Sequence, residues 1–277
     1  MQTLGATGAF NFGLTFFKDW FPRSQIFLPS PLLNVHERIL KRTSVRRYGV
    51  YPYYDYKTNS LEVPNMLQFL KSVANESVVV LHANVHKPTG LNPTNKEWDS
   101  ILEVCRAKSH IPFMLLNYQG LSSGNLTKDA YSVRKFLKEG MQMLVSQSYS
   151  FNMGIYGERM GSVSIVCPDA DTLPMVMSQI TRQARRYYTM PPLHGARTVA
   201  RVLKNPANFD EWQKEIKKIN ERLVGLRKIL KEKFTELKTP GKWDTLLQQG
   251  GPNAALGLTG KTFLLSVFRI AFKASGN

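Results

Sequence analysis

Apolar positions recur along this chain in two periods. Ile26–Leu28, Ser77–His82, Ile111–Leu116 and Met143–Ser148 are short runs, mostly apolar, of the kind shown by strands covered on both faces. Tyr48–Tyr56, rich in aromatic and β-favouring residues, predicts another strand, and Ser162–Cys167 predicts one more. Between them lie the predicted helices: Ala9–Trp20, with Phe10, Leu14, Phe17 and Trp20 on one stripe, then Val63–Leu70, Asn95–Lys108, Asp129–Gly140, Asp169–Tyr188 and His194–Leu203. Thr94-x-x-Glu97 reads as a capping box, and Gly140 as a terminator. Strand and helix alternate from Ser77 onward, which predicts an α/β fold: a mixed, mostly parallel sheet with helices on both faces. Asn208-x-x-Glu211 reads as the cap of a long helix, Trp212–Lys238, closed by Thr239-Pro-Gly241. Its apolar positions Trp212, Ile216, Ile219, Leu223, Leu226, Leu230, Phe234 and Leu237 have core spacing.

Composition adds bounds. A chain of 277 residues with 43% hydrophobic content fits one large domain and part of another. Cys105 and Cys167 offer neither a metal spacing nor a disulfide framework, so small buried hydrophobes in a reducing compartment are expected. The net charge of +17 raises nucleic acid or an acidic surface as partners. Its distribution argues against both: Lys214, Lys217, Lys218, Lys231 and Lys233 interleave with Glu211, Glu215, Glu221 and Glu232, as on a solvated helix face, and no nucleic-acid motif accompanies them. Met1–Phe17 lacks the basic leader of a secretory signal, and Thr262–Phe272 is too short to span a bilayer. The expected location is the cytoplasm, with no metal site.

Two stretches carry candidate chemistry. Gly5-Ala6-Thr7-Gly8 is a small-residue turn feeding a helix, whose free N–H groups suit a phosphate. Ser148 and Arg159 both lie in Gln147-Ser-Tyr-Ser-Phe-Asn-Met-Gly-Ile-Tyr-Gly-Glu-Arg-Met-Gly161, which pairs a hydroxyl with a guanidinium after a buried strand. This segment resembles that of fold-type-I pyridoxal-phosphate enzymes, the class I aminotransferases and most closely the cytosolic aspartate aminotransferase-like (glutamic-oxaloacetic transaminase-like) branch. There it reads Ser-x-Ser-Lys-Asn-x-Gly-x-Tyr-x-Glu-Arg-x-Gly. Gln2–Ala9 resembles the same family's phosphate-binding turn, and His86-Lys-Pro-Thr-Gly90 its His-Asn-Pro-Thr-Gly loop. The likeness runs over most of Met1–Gly250.

The resemblance implies a pyridoxal phosphate site with Gly5, Ala6, Thr7, Ser148 and Arg159 around the phosphate and Tyr118 on the ring oxygen. Arg185, seven residues ahead of Pro192, matches the arginine that grips a dicarboxylic substrate across the dimer interface; it also reads as a cation favoured at a helix C-terminus. Four positions depart from the pattern. Phe151 stands where the Schiff-base lysine belongs, Leu115 where a carboxylate faces the pyridinium nitrogen, Leu33 where an indole stacks, and Lys87 where an asparagine meets the ring oxygen. Lys87 is either a further loss or a displaced amine. A phenyl ring neither condenses with an aldehyde nor carries a proton between carbon atoms.

The expectation is a large domain of fold-type-I pyridoxal-phosphate-dependent transferases over residues 1–203, a long helix and the start of a small domain over 204–250, and a divergent tail over 251–277. The family's segment ahead of the phosphate turn has no counterpart in this sequence, and Arg269, in a fragment faintly like the segment that binds the substrate's α-carboxylate, is read as chance. The implied function is a catalytically degenerate relative of aspartate aminotransferase that keeps the cofactor cup, as a homodimer or paired with an intact family member. The alternative is a working enzyme, converting aspartate and 2-oxoglutarate to oxaloacetate and glutamate, with Lys87 as a relocated Schiff-base amine.

Overall fold

A computed structural model of the chain describes residues Met1–Leu256; Arg269 and most of the stretch 251–277 expected to be a divergent tail lie outside the described residues. Seven strands form one sheet: β1 (Gln2–Leu4), β2 (Ile26–Ser30), β3 (Tyr48–Pro52), β6 (Val78–His82), β7 (Ile111–Leu116), β8 (Leu144–Ser148) and β9 (Met160–Ile165). Their order is β1-β9-β8-β7-β6-β2-β3. The five from β8 to β3 run parallel, while β9 is antiparallel to β8 and β1 to β9. This is the mixed, mostly parallel sheet expected.

The strands are apolar on both faces because both are covered. Val79, Leu81, Met114 and Leu116 join one core with Trp98 of α4 (Asn95–Ala107), Met66 of α3 (Val63–Ser72) and Phe136 of α6 (Tyr131–Lys138). Val78, Val80, Phe113 and Leu115 point the other way, onto Phe10, Leu14 and Phe17 of α1 (Gly5–Trp20), Ile39 of α2 (Asn34–Arg42) and Ile180 of α7 (Thr172–Tyr188). The strand period of two thus sends alternate residues to two separate cores. Gly13 lets α1 lie close on the sheet, since a Cβ there would sit 2.3 Å from Cζ of Phe113. We expect Gly13→Ala to destabilise by about 2 kcal/mol or more, the cost of overpacking a rigid core. Denaturant titration checks this; an unchanged midpoint would mean that α1 is free to lift.

Several boundaries differ from the sequence expectation. Tyr48–Tyr56 is two strands, because the chain leaves the sheet after Pro52 and Tyr54–Asp55 (β4) pairs with Ser60–Leu61 (β5) in a separate hairpin. The expected helix Asp129–Gly140 is α5 (Leu126–Asp129) and α6, broken at Ala130. The break lets the buried Asp129 carboxylate accept from the backbone N–H of Gly120 and Ser122, at 2.7 and 3.0 Å, and from the Ser123 hydroxyl at 2.5 Å. The final strand starts at Met160, two residues earlier than the expected Ser162, where it pairs with β1.

The capping box at Thr94 forms in full: Glu97 N–H donates to Thr94 Oγ1 and Thr94 N–H to Glu97 Oε2. Asn208 is not a cap. After α8 (Leu193–Lys204), Asn205 takes that role, accepting from Asn208 N–H at 3.1 Å, and Pro206 opens α9 (Pro206–Glu236). Proline at the first helical position has no N–H to leave unsatisfied. The long apolar stripe is also corrected. Ile216, Asn220 and Arg227 are the buried residues of α9, whereas Ile219, Leu226 and Leu237 are exposed. Among the described residues, α9 rests on the body of the protein through Trp212, whose Nε1 donates to the Asn152 carbonyl at 2.7 Å, the loop at Gly120–Gly124 and the turn near Gly251.

Candidate active site

The C-terminal ends of β7 and β8 and the N-terminus of α1 converge on one cavity of about 210 Å³. In a parallel sheet this end is where loops and helix N-termini can surround a ligand. Of the residues the sequence singles out, Ala6, Thr7, Ser148, Arg159, Tyr118, Phe151, Leu115, Leu33 and Lys87 all line it.

One end is built for an anion. Helix α1 begins at Gly5 without a side-chain cap and with no acidic residue in its first turn, so its free N–H groups and positive dipole end face outward. Gly5 adopts φ of +68°, and a Cβ there would stand 2.8 Å from Nη2 of Arg159. Gly161 permits the matching approach of β9, because a Cβ on it would lie 2.7 Å from the Gly5 carbonyl carbon. Arg159, itself left-handed, donates to the Tyr156 carbonyl at 3.4 Å and remains exposed at the cavity mouth. Ser148 Oγ accepts from the Ser150 N–H at 3.3 Å. Ser150 is 3% exposed, lines the cavity, and its hydroxyl has no partner among the described residues. A buried hydroxyl without a partner is costly unless something supplies the bond.

The other end is apolar and aromatic. Leu115, 1% exposed, presents its side chain among Phe10 and Ile39. Phe151 packs its ring 4.6 Å from that of Tyr118 and 5.3 Å from that of Tyr156. Tyr118 accepts from Asn253 Nδ2 at 3.4 Å, and burial pushes its phenol above the usual range. Among the described lining residues Lys87 is the one primary amine and, with Arg159, one of two fixed charges, both positive.

Sequence reasoning missed Ser150, Asn117 and a row of histidines. His36 stacks on Phe10 at 4.2 Å and lies 5.9 Å from His82, which lies 4.7 Å from His86. His86 Nδ1 pairs with Thr89 Oγ1 at 2.9 Å, and its Nε2 has no partner among the described residues. No residues among those described form a metal-binding cluster. Burial above all, and then the charge of Lys87, lowers His36 to about 4; burial lowers His86 to about 3 and His82 well below the ordinary 6.5. All three are therefore neutral at pH 7. Ser150 had a signal, the alternation of Ser148 and Ser150 after a strand; His36 had none, being a lone histidine at the start of a helix.

These values make the fold acid-sensitive. The folded-state values lie below 6.5, so the unfolded chain binds protons first as pH falls. The histidine contribution is intact above about pH 6.5 and drains as pH drops towards 4, at roughly 1.4 kcal/mol per pH unit for each histidine. We expect the urea midpoint to fall steadily from pH 7 to pH 5; a flat profile would mean that the imidazoles are protonated in the folded chain.

Arg185 is not brought to this cavity. It occupies the last turn of α7, exposed, beside Arg182 and Arg186 on a separate open surface. Cys105 is buried and Cys167 half-buried, both as free thiols. No described helix is long and apolar enough to cross a membrane.

Comparison with known proteins supplies the family. The family model for aminotransferase class I and II matches residues 1–262. The cytoplasmic aspartate aminotransferase of Dictyostelium discoideum is 39% identical over 260 residues, which cover 94% of this chain and 59% of that protein. The chain thus spans about three fifths of the length of this curated relative. The crystal structure of aspartate aminotransferase from Trypanosoma cruzi superposes with a TM-score of 0.93 at 35% identity, covering 97% of this chain and 69% of the other. An aromatic-amino-acid aminotransferase from Burkholderia pseudomallei, covalently bound to pyridoxal phosphate, gives 0.89 at 32% identity, covering 94% and 64%. On a match that runs almost from end to end, and on the shared fold, this chain belongs to the class I and II aminotransferases and is aspartate aminotransferase-like.

Proposed function

We propose that this chain is a catalytically degenerate aspartate aminotransferase relative whose cavity holds pyridoxal phosphate or another phosphate ester without a covalent bond. The observation that carries this reading is Phe151, an aromatic ring packed on Tyr118 in the cavity where the family motif has its lysine. The residues present fit the phosphate of the cofactor: the uncapped start of α1, Ser148, the unpartnered Ser150 hydroxyl and Arg159. At the family's lysine position Phe151 offers the aldehyde no amine, and Leu115 leaves the ring nitrogen no anion. Transamination needs an imine and a base that moves a proton, so neither is available from these positions.

The proposed layout is a large domain over residues 1–203 and the beginning of a small domain over 204–250. A cytoplasmic location, like that of the Dictyostelium relative, and a homodimer or a pairing with an intact relative complete the reading. Arg185, exposed and remote from its own chain's cavity, would then serve the partner's site. With saturating pyridoxal phosphate, the purified chain should exchange amino groups between aspartate and 2-oxoglutarate no faster than free cofactor; a rate well above that background would overturn the reading.

One observation favours a second reading. Lys87 lines the same cavity, so an aspartate aminotransferase with a relocated Schiff-base lysine is chemically coherent. It requires that Lys87→Met abolish an activity present in the wild-type chain.

A further inference from the structure

We propose that this cavity selects the phosphate monoester of an uncharged aromatic alcohol, and that neither a carbonyl group nor a protonated ring nitrogen contributes to binding. This rests on the cup reading above and specifies what fills the rest of the site. Among the described residues two fixed charges line the cavity, Arg159 and Lys87, and no carboxylate does, so the charge that complements it is one dianion. The dianion belongs at the α1 end, where the buried Ser150 hydroxyl waits for a partner.

Beyond it the walls are Leu115, Phe10, Ile39 and Phe151, against which a flat uncharged ring gains burial and aromatic contact. A cationic ring there would lose its hydration with no anion to replace it. His36, neutral and stacked on Phe10, cannot offer that anion, and Lys87 would repel the charge. Asn117 Oδ1, buried without a partner among the described residues, supplies one acceptor for a neutral donor such as a ring hydroxyl. At about 210 Å³ the space suits one ring and one phosphate rather than a nucleotide.

Isothermal titration of the full chain with four ligands tests this: inorganic phosphate, benzyl phosphate, pyridoxal phosphate, and the N-methylpyridinium counterpart of benzyl phosphate. We expect benzyl phosphate to bind at least tenfold tighter than inorganic phosphate and than the cationic ester, and within a fewfold of pyridoxal phosphate. Equal or tighter binding of the cationic ester would overturn the inference, as would benzyl phosphate no tighter than inorganic phosphate, with the cup intact in both cases. Failure of all four to bind would remove the cup as well. Leu115→Asp should shift the preference at least tenfold toward the cationic ester, a reversal that a merely structural role for Leu115 would not produce.

Discussion

Phe151→Lys is expected to convert a chain that no borohydride treatment labels at a single site into one that carries about one phosphopyridoxyl group, attached at residue 151. The ring of Phe151 already lines the cavity beside Tyr118, so a lysine stem replaces it among the same neighbours, with its amine facing the space. The cost is modest. Phe151 is half-buried, and losing its contacts with Tyr118 and Tyr156 should destabilise by about 1 kcal/mol. Transamination should stay near background in this variant, because Leu115 still offers the ring nitrogen no carboxylate. Peptide mapping after reduction is the check. Labelling of wild-type Lys87 would shift the account to the relocated amine, and an unlabelled F151K would place residue 151 outside reach of the aldehyde.

Arg159→Ala should weaken binding of any phosphate ester by about 10- to 100-fold, the equivalent of about one hydrogen bond to a charged group. The size is limited by exposure: Arg159 sits at the mouth, where water and salt screen it. Wild-type affinity should therefore fall with added salt, and the variant's much less. Arg159→Lys should recover only part of the loss, since an ammonium cannot reproduce the planar fork. Isothermal titration with pyridoxal phosphate at two salt concentrations measures both effects. Equal affinity in wild type and R159A would detach the guanidinium from the ligand.

The fold was legible wherever one physical demand dominated a segment. Strands buried on both faces must be continuously apolar, so Val78–His82 and Ile111–Leu116 stood out. The Thr94 capping box was readable because two side chains satisfy two backbone donors within four residues. What escaped depended on distant partners. Gln2–Leu4 is a strand only because Met160–Ser162 lies beside it, and Ile219 and Leu226 are exposed because, among the described residues, α9 is buried along Ile216, Asn220 and Arg227 alone. The anion end of the cavity was readable from ordered motifs around Ala6 and Ser148. Its inner wall was not: His36 reaches the site only through the packing of α2 on Phe10, and nothing within a few residues of it announces that.

The central claim is a ligand held by its phosphate and by no covalent bond. Intact mass spectrometry of the wild-type chain, loaded with pyridoxal phosphate, freed of excess by gel filtration and then reduced with borohydride, addresses it in one step. The account predicts cofactor that travels with the protein through the column, followed by an unmodified mass after reduction under denaturing conditions. One stoichiometric phosphopyridoxyl adduct would contradict it.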